Sequence, residues 1–187
     1  EGTACSMARC YSARMAKRQT IPQVILMTDA RTDAALARAL ARLPRGSAVV
    51  FRHYHLAPHE RHARFTWLRR LAHLRGVRVI GAQVPPSWHT DGTYGAVDDI
   101  AGKPGLRLAT AHSLREIGAA VRGGSHAILL SPVFPTRSHP GGKVLGAVRF
   151  LLLARQSPLP VIALGGITRA RAARLPVHGW AAIDGLG

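Results

Sequence analysis

Short, unbroken apolar runs recur along this chain, each leading toward a stretch with helical spacing, and that alternation limits the available folds more than any other feature. Val24 to Met27, Ala48 to Phe51, Val77 to Ile80, Leu106 to Ala109, Ala127 to Leu130, Pro160 to Leu164 and Ala181 to Ile183 read as strands, with Asp91 to Tyr94 a weaker one. Continuously apolar strands belong to a parallel sheet buried on both faces. Between them, Thr32 to Leu43, Pro58 to Arg75 and Leu114 to Arg122 read as helices, with others near Leu145–Arg155 and Arg169–Leu175. Pro44 and Gly46 close the first and Gly76 stops the second. Ser113 and Glu116 have the spacing of a capping box, in which a hydroxyl and a carboxylate satisfy free amides of a first turn. Eight such units in 187 residues predict a compact (β/α)8 TIM barrel of the α/β class. Its third unit, around Pro85–His89, is too short for a full helix, and the last helix is missing. Residues 21–187 form the single barrel domain of this reading, and residues 1–20 a basic, disordered tail without the apolar run of a secretory signal.

The apolar share of 47% is enough to bury a core without disulfides. Both cysteines, Cys5 and Cys10, lie in the tail, so the fold has no cysteine framework, and a cytoplasmic location fits. No stretch approaches the ~20 apolar residues of a membrane span. Twenty-six Lys and Arg face nine Asp and Glu, a formal charge of +17, which favours anionic partners: phosphorylated metabolites, nucleic acid or acidic membranes, among which composition alone does not choose. A nucleic-acid partner is not expected, because no reading motif and no basic–aromatic stripe occurs. The sequence leaves the oligomeric state open.

In a parallel barrel the working residues gather at the carboxyl ends of the strands. Two such ends carry distinctive residues. Gly165-Gly166 follows the seventh strand and precedes a helix, where backbone amides can approach a phosphate closely. The long segment Ser131 to Lys143 is rich in hydroxyls and cations, and Thr136, Arg137, Ser138, His139 and Lys143 could together grip a diphosphate. His53, His55, His59 and His62 cluster in sequence, but no cysteine or acidic partner completes a zinc set. Trp67, Trp88 and Trp180 are read as packing residues.

Thr110-Ala-His-Ser113 with Glu116, Ser131-Pro-Val-Phe-Pro-Thr136, Pro160-Val-Ile-Ala-Leu-Gly-Gly-Ile167 and Gly179-Trp-Ala-Ala-Ile183 resemble strands five to eight of the thiamine-phosphate synthase and TenI-like family. The resemblance covers about Val24 to Leu186 and is strongest in the second half. It implies a (β/α)8 barrel that joins hydroxymethylpyrimidine diphosphate to thiazole phosphate, with magnesium on the diphosphate. Diphosphate leaves, a pyrimidine carbocation-like species forms, and the thiazole nitrogen captures it. Such a reaction depends on neutralising the leaving group and excluding water more than on a strong base.

Carried over by resemblance, Arg52, Thr110, His112, Ser138 and His139 are the catalytic candidates. Thr136, Arg137, Lys143, Gly165 and Gly166 are the phosphate-binding ones, and Asp99 is the magnesium ligand. Several positions depart from the pattern. Val50 and Tyr54 stand where the family has Gln and Lys, and His139 replaces a loop Lys. Gly81-Ala82-Gln83 replaces Asn-Asp-Arg, which removes one magnesium carboxylate. Asp184 replaces a Ser and brings a carboxylate toward the phosphate, so it must turn away or pair with an Arg. The resemblance therefore implies a thiamine-phosphate synthase-like transferase acting on small phosphorylated substrates. The alternative is a non-catalytic phosphate-binding or regulatory barrel. A thiazole tautomerase is a weaker option, since members with that activity use a His that Ser131 to Phe134 lacks.

Overall fold

The computed structural model describes residues 20–137 and 141–184. Ser138, His139 and the tail before Thr20 lie outside the described residues. Eight parallel strands close a barrel in sequence order: β1 (Val24–Met27), β2 (Ala48–Phe51), β3 (Arg78–Ala82), β4 (Gly92–Gly95), β5 (Leu106–Ala111), β6 (Ala127–Leu130), β7 (Val161–Leu164) and β8 (Gly179–Ala182). Closure is made by β8 on β1, with Val24 beside Trp180 and Leu26 beside Ala182. The helices are α1 (Leu36–Arg42), α2 (Pro58–Leu74), α3 (Val97–Ile100), α4 (Leu114–Arg122), α5 (Gly146–Ala154) and α6 (Arg169–Ala172). None is long and apolar enough to cross a membrane.

Side chains alternate across each strand, so one set fills the barrel and the other meets the helices. Met27, Val50, Ile80, Leu108, Leu129 and Ile162 belong to the inner cluster. Val49, Phe51 and Val79 pack outward against Leu40, Phe65 and Leu68 of α1 and α2. Ala109, Ile128 and Ala163 pack outward with Ile117 of α4 and Phe150 of α5. Each fully buried Leu or Phe contributes about 1.5–3 kcal/mol relative to exposure. The next inward positions after Met27, Val50, Leu108, Leu129 and Leu164 are Asp29, Arg52, Thr110, Ser131 and Gly166, and this parity carries chemistry to the mouth.

The strands fall where the apolar runs predict, within one or two residues. Strand β5 continues to Ala111 because Thr110 and Ala111 pair with Leu129 and Leu130 of β6. The first helix is interrupted: Asp29 accepts the Arg31 amide and starts a 3-10 turn over Ala30–Ala35, leaving α1 only seven residues. The third unit is a single 3-10 turn, Pro86–Trp88, as its length requires. Trp88 closes that side by packing on Phe65 and Phe51, with ring centroids 4.9 and 6.2 Å away. At the opposite end of the barrel from the mouth, an exposed turn around Gly102 and Lys103 joins α3 to β5, and the Lys103 carbonyl accepts from Arg107.

Candidate functional site

At the ends of β1 and β2 an arginine network forms. Arg52 Nε donates to the Thr28 carbonyl at 2.9 Å and Nη2 pairs with Asp29 at 3.3 Å. Arg31 holds the other Asp29 oxygen at 2.7 Å. The Arg31 hydrogen bond keeps the Asp29 carboxyl below its ordinary range, and the charge of Arg52 adds to it. Asp184 is exposed, and its charge is felt at Arg31.

Arg61 reaches from α2 over the ends of two strands. Its Nη1 donates to the Gln83 carbonyl at 3.0 Å, and its Nη2 to the carbonyls of Ala82 and Arg52 at 2.8 and 3.2 Å. The guanidinium carbon sits 5.3 Å from the Tyr54 ring centroid and 5.8 Å from those of Phe51 and Trp88. Burial raises the Tyr54 hydroxyl above its ordinary range, Arg52 and Arg61 pull it down, and Asp99 pushes it up. The charges of those three groups thus reach one phenol. Deeper in the barrel, burial pushes the Tyr94 hydroxyl up to about 12.

On the far side, His112 Nδ1 meets the Ser131 carbonyl at 2.7 Å. A carbonyl only accepts, so Nδ1 carries the proton and Nε2 of the neutral ring keeps its lone pair. The predicted capping box takes a different form here. Ser113 Oγ accepts the Glu116 amide at 3.3 Å, whereas the Glu116 carboxylate takes the amide of His112 at 2.6 Å. Glu116 thereby fixes the residue that bears the imidazole.

The two glycine- and hydroxyl-bearing loops lie against each other. The Val133 and Phe134 amides donate to the carbonyls of Leu164 and Gly165 at 2.9 and 3.1 Å. Gly165 and Gly166 have φ of 93° and 61°. A Cβ on Gly165 would come within 2.8 Å of Pro132, and one on Gly166 would strike the Pro135 carbonyl oxygen. The neighbouring loop thus requires glycine at both positions, whatever ligand they meet. Helix α6 has four residues, with Thr168 capping the Arg171 amide, and is too short to offer the amino-terminal charge expected after the Gly-Gly turn. Arg171 supplies charge there by another route, bonding the Gly166 carbonyl at 2.6 Å while stacking 4.9 Å from Phe134.

Arg52, Thr110, His112, Thr136, Arg137, Lys143, Gly165 and Gly166 lie on carboxyl-end strand residues or the loops that follow them, and Asp99 lies in the first turn of α3 after β4. Arg137 and Lys143 are exposed, and Thr136 is partly buried. Arg61, Arg171, Arg31 and Glu116 join them. No local motif distinguishes these Arg side chains from the rest of a basic chain.

A magnesium ion does not fit this donor set well. Asp99 is an exposed carboxylate in the first turn of α3, beside Gly95. The end of β3 offers no carboxylate, and its Ala82 and Gln83 carbonyls already bond Arg61. Among the described residues no group of three His, Cys, Asp or Glu could hold a metal ion. A cavity of about 280 Å³ lies elsewhere, outside the barrel wall between Val24, Trp180 and α6.

Comparison with known proteins agrees with the fold. The chain is 20% identical to a thiamine phosphate pyrophosphorylase from Pyrococcus furiosus, with a TM-score of 0.74 over 89% of this chain and 87% of that one. A truncated 3-deoxy-D-arabino-heptulosonate 7-phosphate synthase from Thermotoga maritima is 13% identical, with a TM-score of 0.57 over 87% and 74% of the two chains. At these identities the likeness is one of fold. "Putative thiamine-phosphate synthase 2" of Aquifex aeolicus is 41% identical over 59 residues, 32% of each chain, so the match spans about a third of that relative. The family model for thiamine monophosphate synthase matches residues 92–186, just over half the chain and all of β4 to β8. The barrel's second half thus carries the family's sequence on the family's fold, and the chain belongs to the thiamine monophosphate synthase family.

Proposed function

We propose that this barrel is a thiamine-phosphate synthase-type transferase that joins a hydroxymethylpyrimidine diphosphate to a thiazole phosphate. The observation that carries this reading is the meeting of His112, the Ser131–Thr136 loop and Gly165-Gly166 at one mouth, on the sequence that matches the family model. In the reaction the carbon–oxygen bond to diphosphate breaks and its electron pair leaves with the diphosphate. The thiazole nitrogen lone pair then forms the new carbon–nitrogen bond. Arg52, Arg137 and Lys143, with Ser138 and His139 of the same loop, stabilise the departing charge. Gly165 and Gly166, with Thr136, hold the thiazole phosphate. Thr110 and His112, at the end of β5, offer a hydroxyl and an imidazole that orient the pyrimidine.

One observation favours a binding-only barrel. Arg52 is already engaged by Thr28 and Asp29, and a substrate must compete for it. An assay with both substrates, run with and without magnesium, separates the two readings. Thiamine phosphate should form, with kcat/KM falling about 10²-fold in Arg52→Ala and about tenfold or more in His112→Ala. Absence of product, with calorimetric binding of either substrate intact, would leave the binding-only barrel standing.

A further inference from the structure

We infer that the mouth carries its own cation in Arg61 and takes a diphosphate without a divalent metal. The inference rests on the proposed reading that a diphosphate binds here, and it names what receives it. Arg61 lies on α2, outside the barrel, and none of the residues that carry the family resemblance includes it. Its guanidinium nevertheless ends over β2 and β3, bonded to three backbone carbonyls of Arg52, Ala82 and Gln83. Backbone carbonyls at strand ends are the oxygens a hard cation would use. Here a guanidinium occupies them, and a metal ion placed beside it would meet like charge. A metal at Asp99 would also have to bind without a second carboxylate from β3.

Position and support agree. Arg61 is packed between the rings of Tyr54, Phe51 and Trp88, which hold its plane and shield its charge from water on those sides. Three of its N–H groups go to carbonyls, Nε is buried without a partner among the described residues, and the second Nη1 hydrogen is left for an acceptor. Its charge is felt at Tyr54 together with that of Arg52, so the two guanidiniums act on one region. Asp29 and Arg31 moderate Arg52, whereas Arg61 forms no ion pair among the described residues. A fixed guanidinium is suited to phosphate oxygens and keeps its charge at any working pH.

The test is calorimetric binding of inorganic pyrophosphate to the full chain, once with a chelator present and once with millimolar magnesium. The dissociation constant is expected to agree within about threefold between the two buffers. Arg61→Gln should weaken binding by about tenfold or more, while Arg70→Gln, exposed on the same helix, should leave it unchanged. Asp99→Asn gives the sharpest contrast. A metal-ligating Asp99 would make that variant lose binding, and a mere neighbouring anion would make it bind more tightly. Binding that requires magnesium, or that disappears in Asp99→Asn, overturns the inference and leaves the proposed function intact. Unchanged binding in a folded Arg61→Gln chain also overturns it. No pyrophosphate binding in either buffer overturns both this inference and the diphosphate reading beneath it.

Discussion

The His53 imidazole is fully buried, yet both its nitrogens have partners. Thr28 Oγ lies 2.9 Å from Nδ1 and Asp33 Oδ1 lies 2.7 Å from Nε2, while the ring stacks on Phe51 at 4.6 Å. The Asp33 carboxylate only accepts, so the His53 proton sits on Nε2 and Nδ1 takes the Thr28 hydroxyl hydrogen, while Thr28 Oγ also accepts the Arg52 amide at 2.9 Å. This neutral form matches the direction of titration. Burial lowers the His53 pKa more than Asp33 raises it. Burial also acts to raise the Asp33 carboxyl, but hydrogen bonds from His53 and Arg64 outweigh it and bring the group below 3.8. The signs agree. As pH falls through the ordinary His value of 6.5 the unfolded chain gains a proton that the folded His53 resists, so folding loses stability. The Asp33 contribution, present above the ordinary carboxylate value, is lost at lower pH still, through its depressed folded pKa. Melting temperature should therefore drop between pH 7 and pH 5, and drop less in His53→Phe, which has no titrating ring. An equal slope in the two chains would place the acid sensitivity elsewhere. His53→Ala, which strands Thr28 and Asp33 and opens a cavity, should cost about 2–4 kcal/mol in urea unfolding.

Between elements, one tight constraint at the mouth is the β6 loop lying on the Gly165-Gly166 turn. Gly166→Ala must both hold alanine at φ 61° and push back the Pro135 carbonyl. We expect it to lose about 1–3 kcal/mol of stability and, through displacement of the Ser131–Thr136 loop, at least tenfold in phosphate-ligand affinity. Thermal melting and titration of the same sample would check both. A stable variant with unchanged affinity would show that the loops do not cooperate. These elements also mark how far the sequence can be read. Strands such as Ala127–Leu130 and Ala48–Phe51 stand out because a buried parallel strand must be apolar on both faces. Gly165-Gly166 stands out because glycine pairs after a strand are rare without cause, although the cause found is as much a neighbouring backbone as a ligand. Arg61, Arg64 and Arg171 were illegible for the opposite reason. A long side chain chooses its partners through the tertiary fold, and in an Arg-rich chain its residue type carries little information. The break between Ala30–Ala35 and α1 was equally hidden, because Asp29 serves at once as a cap and as a partner of two arginines.

Over the whole molecule the charge of +17 is spread on 187 residues with nine carboxylates to offset it. Self-repulsion at that density opposes the compact state, and salt screens it within about 8–10 Å. Raising sodium chloride from low to physiological strength should raise the melting temperature by roughly 2–4 °C, equivalent to about 1 kcal/mol for a chain of this size. The same change should weaken pyrophosphate binding at the mouth. A melting temperature that falls with salt would mean that the arginine–aspartate network outweighs repulsion. The basic side chains are also very unevenly divided by kind, since only Lys17, Lys103 and Lys143 are lysines. Lys143 lies on the mouth side, after β6, whereas Lys103 sits on the exposed turn at the other end of the barrel. With Lys17 and Lys143 exchanged for arginine and the terminal α-amine blocked, an amine-reactive support would meet a single lysine. Molecules tethered through it would stand upright in one orientation, each with its binding face presented to the solution.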